Sequence, residues 1–263
     1  MTIEDVLGAP FRGMVAGKVA LVTGGGSGIG EATALLLAIE GASVAVVDRD
    51  GGAAVRVAAA IDSAGGRAIA LEVDVTDAIA VTAMVDGVVE HFGRLDIAHN
   101  NAGIAGVPTA FVDLALDEWD RMIQINLTSV FLCMQAELRV MAAQHAGVIV
   151  NTSSGAGVVP APMLPHYTAA KHGILGLTKC AAQEFARQGI RVNAVLPGAT
   201  RTPMLEGFIG GNDDIAKMIA GTVARGSLGA PAEIAEAVVW LASDRSSFVS
   251  GESLVVDGGS TCR

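Results

Sequence analysis

The chain has 263 residues and a formal net charge of −10; 51% of it is hydrophobic and only 4% aromatic. That length suffices for one α/β domain with a large core, and the small apolar residues suit a tightly packed parallel sheet under helices. The acidic balance repels phosphate backbones and so excludes nucleic acid as a partner, and no basic run suits an anionic membrane.

Residues 1–16 read as an N-terminal arm with early acids and no apolar run of the signal-peptide kind, which points to the cytoplasm. Residues 17–263 read as one domain. Short β-branched runs at 18–24 (KVALVTG), 43–48 (SVAVVD), 68–74 (AIALEVD), 95–100 (LDIAHN), 147–153 (GVIVNTS) and 191–198 (RVNAVLPG) predict strands, each bounded by Gly, Asn or Asp. Alanine-rich helical stretches separate them. The longest, LDEWDRMIQINLTSVFLCMQAELRVMAAQ, reads as one helix with Asp117 as its N-cap, and another covers about 166–189. Strand–helix alternation this regular predicts a parallel sheet with helices on both faces.

Between Arg139 and Lys171 no Asp, Glu, Lys or Arg occurs. Asn151, several hydroxyls and three prolines exclude a lipid-facing helix there, so the segment reads as the wall of a buried site. Cys133, Cys180 and Cys262 are far apart and read as buried thiols in a reducing compartment. His99, His166 and His172 lack an acid or cysteine at ligand spacing, so no metal is expected. His166 reads as a solvated loop histidine.

The stretch TGGGSGIG, Thr23 to Gly30, follows the first strand and opens a helix. Gly24, Gly28 and Gly30 permit a tight turn and close approach of backbone to a pyrophosphate, and the helix N-terminus offers free N–H groups. Asp48 ends the second strand about twenty residues on, where an acid can hold an adenosine ribose. A carboxylate there accepts from both ribose hydroxyls of NAD and repels the 2′-phosphate of NADP. Arg49 would offset that repulsion if it turned inward.

PHYTAAKHG holds the chain's only tyrosine, Tyr167, with Lys171 four residues later, one helical turn away on the same face. A free phenol has a pKa near 10, too high for proton exchange at neutral pH. A nearby ammonium, joined by an oxidised nicotinamide, would favour the phenolate and make Tyr167 an acid/base for an alcohol–ketone pair.

From about residue 17 to 260 the chain resembles the short-chain dehydrogenase/reductase family. The glycine motif matches at Thr23, Gly24, Gly28 and Gly30, with Ser27 and Ile29 in the same turn. NNAG, Asn100 to Gly103, matches the segment after the fourth strand, and Asn126 in QINLTSV matches the helical asparagine. The serine expected thirteen residues before the tyrosine falls on Ser154, with Ser153 beside it, and PGATRT (Pro197 to Thr202) matches the segment that wraps the nicotinamide.

The resemblance implies a single-domain Rossmann-type doubly wound parallel sheet with a substrate lid at about 199–226. It implies catalytic Asn126, Ser154, Tyr167 and Lys171. Ser154 would stabilise charge on the substrate oxygen, Lys171 would tune Tyr167 and hold the nicotinamide ribose, and Asn126 would position a water leading to solvent. Cofactor contacts would come from Gly24, Ser27, Gly28, Ile29, Gly30, Asp48, Asn101, Ala102, Gly103, Tyr167, Lys171, Pro197, Gly198 and Thr202. Asp74, with Val75, reads either as the adenine-contacting acid or as a strand-end cap, and Asn100 as a cofactor contact or a brace. TPMLEGFIGG reads as lid lining or as core.

These observations predict an NAD-dependent oxidoreductase interconverting a small apolar secondary alcohol and a ketone. The alternatives are a 3-oxoacyl thioester reductase using NADPH, disfavoured by Asp48, and a catalytically silent dinucleotide-binding regulator, disfavoured by the full catalytic set. Ile174, Leu175, Leu177 and Phe185 spread around their helix beyond what one sheet face can cover, and the resemblance implies a homotetramer.

Overall fold

The computed structural model describes residues 13–262. The predicted arm lies mostly outside the described residues. Its last part, 13–16, is a turn packed on the domain, with Val15 buried and its N–H donated to the Glu40 carbonyl.

Seven strands, β1 (Val19–Thr23), β2 (Ser43–Asp48), β3 (Arg67–Glu72), β4 (Ile97–Asn100), β5 (Gly147–Thr152), β6 (Ile190–Pro197) and β7 (Ser253–Val256), form one sheet in the order β3-β2-β1-β4-β5-β6-β7. Every pairing is parallel. The six predicted strands lie within two residues of those found. β7 escaped prediction because its four residues are mostly half-buried and lead straight into glycines. Chain order reverses between β1 and β4, and in such a sheet a crevice opens there beyond the carboxyl ends of the strands.

Helices α1 (Gly28–Ile39), α2 (Gly51–Ser63) and α9 (Pro231–Ala242) cover one face. Helices α3 (Ala78–Phe92), α5 (Ser129–Gln144) and α6 (Pro165–Phe185) cover the other. β1 is buried at all five positions, as a strand covered on both faces must be. Asp50 and Asp77 cap α2 and α3 by accepting backbone N–H bonds from the first turns.

The long predicted helix is interrupted. It begins as α4 (Leu116–Ile123), passes through a π-helical turn (Gln124–Thr128) and continues as α5. Asp117 is not the N-cap. Ala115 holds that position, and Asp117 sits in the first turn, where its charge favours the helix dipole. The chargeless 140–170 segment forms the end of α5, β5, a short 3₁₀ turn and the start of α6. No helix among the described residues is long and apolar enough to cross a membrane.

Two expectations about side chains need correcting. Only Cys133 is buried; Cys180 faces outward from α6 and Cys262 lies in the exposed tail. Ile174 and Leu175 are buried within the single chain, and Leu177 and Phe185 are partly buried against its core, so they are not a spare apolar face. The exposed large apolar side chains are others, among them Phe111, Leu116, Phe131 and Phe248.

A polar string crosses the core between the sheet and α5–α6. Asn100 Nδ2 donates to Glu137 Oε2 and to Asn151 Oδ1, both at 3.0 Å, and Asn151 Nδ2 donates to Thr178 Oγ1 at 3.0 Å. Glu137 is fully buried, and burial raises its carboxyl to about 7 against a hydrogen bond from Asn100 that pulls it down. A raised acid contributes stability that is complete below its unfolded pKa and lost as pH climbs through the folded one. Wild type is therefore expected to lose on the order of 1–3 kcal/mol between about pH 4.5 and 7 that Glu137→Gln does not lose. Urea unfolding of both proteins at the two ends of that window checks this; parallel curves would show that the fold does not raise the carboxyl.

Candidate active site

A cavity of about 830 Å³ opens over the β1–β4 crevice. Its first wall is the loop between β1 and α1. Gly24 and Gly28 have φ of +62° and +57°, a conformation glycine adopts without strain. A Cβ on Gly30 would run into the Gly24 carbonyl oxygen, so that glycine sets how closely the helix packs on the turn and does not itself face the cavity.

Asp48, at the end of β2, projects into the same cavity. Its Oδ2 accepts the Gly26 N–H at 2.9 Å and its Oδ1 the Asp50 N–H at 3.0 Å. The carboxylate is thus tied to the glycine loop. Arg49 is exposed, and its charge acts on Asp74, helping to hold that carboxyl low after the larger effect of the Thr76 backbone and hydroxyl bonds. Asp74 caps its turn by accepting from Thr76 N and Oγ1 at 2.9 and 2.7 Å, and with Val75 it also lines the cavity. The cap reading of Asp74 thus holds.

The opposite wall runs from Asn101 to Gly106 after β4. Asn100 is not part of it; its side chain braces the sheet through the Glu137–Asn151 string. Asn101 Nδ2 donates to the Thr23 and Gly24 carbonyls at 3.2 and 3.3 Å, leaving Oδ1 to accept from Thr152 Oγ1 at 3.4 Å. Thr152 Oγ1 then accepts from His99 Nε2 at 2.8 Å, which assigns the proton to that nitrogen. Burial drops the imidazole to about 3, so it is neutral. This chain from His99 to the glycine loop carried no motif; the only sequence signal was polar residues at the ends of apolar strands.

Ser154, Tyr167 and Lys171 meet at the far end of the cavity. Ser154 follows β5, and α6 starts at Pro165, whose fixed φ suits the first helical position. The Ser154 hydroxyl stands by the Tyr167 phenol and favours its ionised form. Ser153 is buried and donates its hydroxyl to the Lys171 carbonyl at 2.8 Å. Lys171 Nζ donates to the Thr152 carbonyl at 2.9 Å and lies 5.6 Å from the Tyr167 ring centroid.

Burial sets the protonation here. It lowers Lys171 to about 8 and raises the Tyr167 phenol, with Ser154 pulling the phenol back. Desolvation is the larger of the two influences on the phenol, and the expected lowering needs the oxidised nicotinamide beside the ammonium.

Asn126, in the π turn, stands behind the wall rather than in the cavity. Its Oδ1 accepts the Ile104 N–H at 2.8 Å and its Nδ2 donates to the Ile104 carbonyl at 2.9 Å. His166 is not solvated. It is 1% exposed on the first turn of α6, and its Nδ1 makes no hydrogen bond. Thr202, beside Gly28, caps α7 (Pro203–Ile209) by accepting the Leu205 N–H. Pro197 and Gly198 close the β6 end, and Met204, Leu205 and Phe208 lean over the cavity from α7. α8 (Asp213–Thr222) completes the overlying segment.

A cradle of this kind fits a dinucleotide. The glycine turn and the α1 N-terminus would face a pyrophosphate, Asp48 an adenosine ribose, and Lys171 and Thr202 a nicotinamide riboside.

The family profile described as "Enoyl-(Acyl carrier protein) reductase" matches residues 24–261. A cyclohexanol dehydrogenase of Acinetobacter sp. (strain SE19) is 44% identical over 94% of this chain and 96% of its own length. A cis-4-hydroxycyclohexanecarboxylate dehydrogenase of Sinomonas cyclohexanicum is 46% identical over 93% of this chain and 96% of its own. The crystal structure of levodione reductase superposes with a TM-score of 0.91 at 37% identity, covering 94% of this chain and 98% of that one.

Proposed function

The chain belongs to the short-chain dehydrogenase/reductase family, and on that premise we propose that it is an NAD(H)-dependent oxidoreductase interconverting a compact cyclic secondary alcohol and its ketone. The observation that carries this reading is the Ser154–Tyr167 hydroxyl pair beside buried Lys171, in the same cavity as the Asp48 carboxylate.

The substrate hydroxyl sits against both hydroxyls. Ser154 donates to the substrate oxygen and stabilises the charge that develops on it. Tyr167 takes the hydroxyl proton during oxidation and returns it during reduction. Lys171, held by the Thr152 carbonyl, keeps a positive charge beside the phenol. When bound, the nicotinamide supplies the hydride acceptor or donor. Asn126 fixes the Ile104 segment; any link from it to bulk water runs behind that wall.

Beside Ser154, Tyr167 and Lys171 the cavity lining includes the apolar Ile104, Leu164, Met204, Leu205 and Phe208, and Arg49 and Arg121 are its other cations. Arg49 neighbours Asp48, and Arg121 is one turn from Gln124, which donates to the Thr76 carbonyl. An uncharged ring fits that apolar lining better than a carboxylate, which supports an alcohol like that named for the Acinetobacter relative. A panel of cyclic alcohols and ketones, followed by nicotinamide absorbance, tests the proposal; no change with any member would overturn it.

Asp48 supports NAD over NADP. A 2′-phosphate within a few ångströms of this carboxylate costs on the order of 1–3 kcal/mol, roughly tenfold to over a hundredfold in affinity. Arg49, which also lines the cavity, would offset part of that. The expected result is kcat/KM at least about tenfold higher with NAD, narrowed by Asp48→Ala. Equal use of NADP by the wild type would refute it, and would reopen the thioester-reductase alternative.

The α7–α8 segment, within residues 199–226, serves as the substrate lid of a single domain spanning residues 17–263. The working location is the cytoplasm. Exposed Phe131 on α5 and fully exposed Phe248 near β7 support a homotetramer built on those two surfaces. Light scattering at micromolar concentration that returned a monomer mass would remove that part of the proposal.

A further inference from the structure

The wall segment 104–109 belongs to no helix or strand, and three contacts hold it. Asn126 grips Ile104 at both N–H and carbonyl. The Met163 carbonyl accepts the Thr109 N–H at 2.8 Å. Between these two points Gly106 lies directly on His166. A Cβ on Gly106 would stand 2.7 Å from His166 Nε2, 2.8 Å from Cε1 and 3.0 Å from Leu164 Cδ2.

The leucine methyl can swing away. The imidazole is buried on the first turn of α6 and yields less readily. Gly106 lines the cavity and His166 does not, so the ring is a backstop one layer behind the wall. Its position next to Tyr167 ties the wall's depth to the residue that meets the substrate oxygen.

We infer that Gly106 and His166 form a matched pair that sets the width of the substrate site, and that His166 is a specificity-determining residue acting through the Gly106 backbone. The inference rests on the alcohol-dehydrogenase reading and specifies it. The thickness of this wall admits a ring such as cyclohexanol and penalises bulk at the ring position opposite the hydroxyl.

A double-mutant cycle tests it, with cyclohexanol and 4-tert-butylcyclohexanol as probes. Gly106→Ala should push the wall into the cavity and lower kcat/KM for cyclohexanol by roughly tenfold, the NAD KM staying unchanged. His166→Ala should let the wall retreat and raise the ratio of bulky to compact substrate by roughly tenfold. In the double variant the new methyl occupies part of the space the imidazole left, so the ratio should return toward wild type. Additive losses, or a Gly106→Ala variant that behaves as wild type, would overturn the pairing.

Amide hydrogen exchange across 103–109 repeats the cycle without substrate. Faster exchange is expected in each single variant, and slower exchange in the double variant than in either. If wild type oxidises neither alcohol, the panel of cyclic alcohols and ketones decides the functional reading and the exchange cycle alone decides the pairing: compensation upholds it, and its absence ends it.

Discussion

Tyr167→Phe is expected to lower turnover by about a hundredfold or more while NAD still binds. Phenylalanine keeps the ring beside Lys171 and most of its packing, and removes only the oxygen that exchanges the proton. Because burial raises the phenol, its proton-accepting form is scarce at neutral pH. Alcohol oxidation by the wild type should therefore climb with pH as that form is populated, and the residual rate of the variant should lose the climb. Stopped-flow rates with cyclohexanol across pH, with NAD affinity measured alongside, check both parts. Near-normal turnover in the variant would remove Tyr167 from the acid/base role.

Ser154→Ala should cost roughly a hundredfold in kcat, the order seen when one donor to a developing oxyanion is lost. Ser153→Ala should cost less and in a different way. The Ser153 hydroxyl bonds the Lys171 carbonyl inside the protein. Its loss leaves a buried helix carbonyl with one bond fewer, on the order of 1–3 kcal/mol of stability, with the substrate contact intact. Thermal unfolding and kcat measured on both variants separate the two roles. A larger kcat loss from Ser153→Ala would mean that Ser153 is the substrate-facing serine.

Much of this arrangement was legible before any coordinates. The glycine turn, Asp48, NNAG and the Tyr167–Lys171 spacing are local patterns, each set by what one turn or one helix face requires. All the nominated site residues except Gly30 and Asn126 line the cavity. Gly30 stands apart because its glycine serves packing on the Gly24 carbonyl. Asn126 does so because the π turn aims its amide at Ile104.

The misreadings share a cause. His166 reads as a solvated loop histidine, yet Pro165 starts a helix and Gly106 comes to rest on the ring from sixty residues away. The apolar residues of α6 suggested an uncovered face, yet they pack into the same chain's core.

The sequence by itself determined the strand–helix alternation, the glycine turn and the placing of Tyr167 and Lys171 on one helix face, because hydrophobic period, glycine conformation and helical spacing act over a few residues. The tertiary structure alone decided that the Ser153 hydroxyl turns to the Lys171 carbonyl, how the His99–Thr152–Asn101 chain ties β5 to the glycine loop, and that His166 lies behind Gly106. Each of those depends on what a side chain meets across the sheet or from a distant loop, and burial and contact between remote segments leave no periodicity in the chain to read.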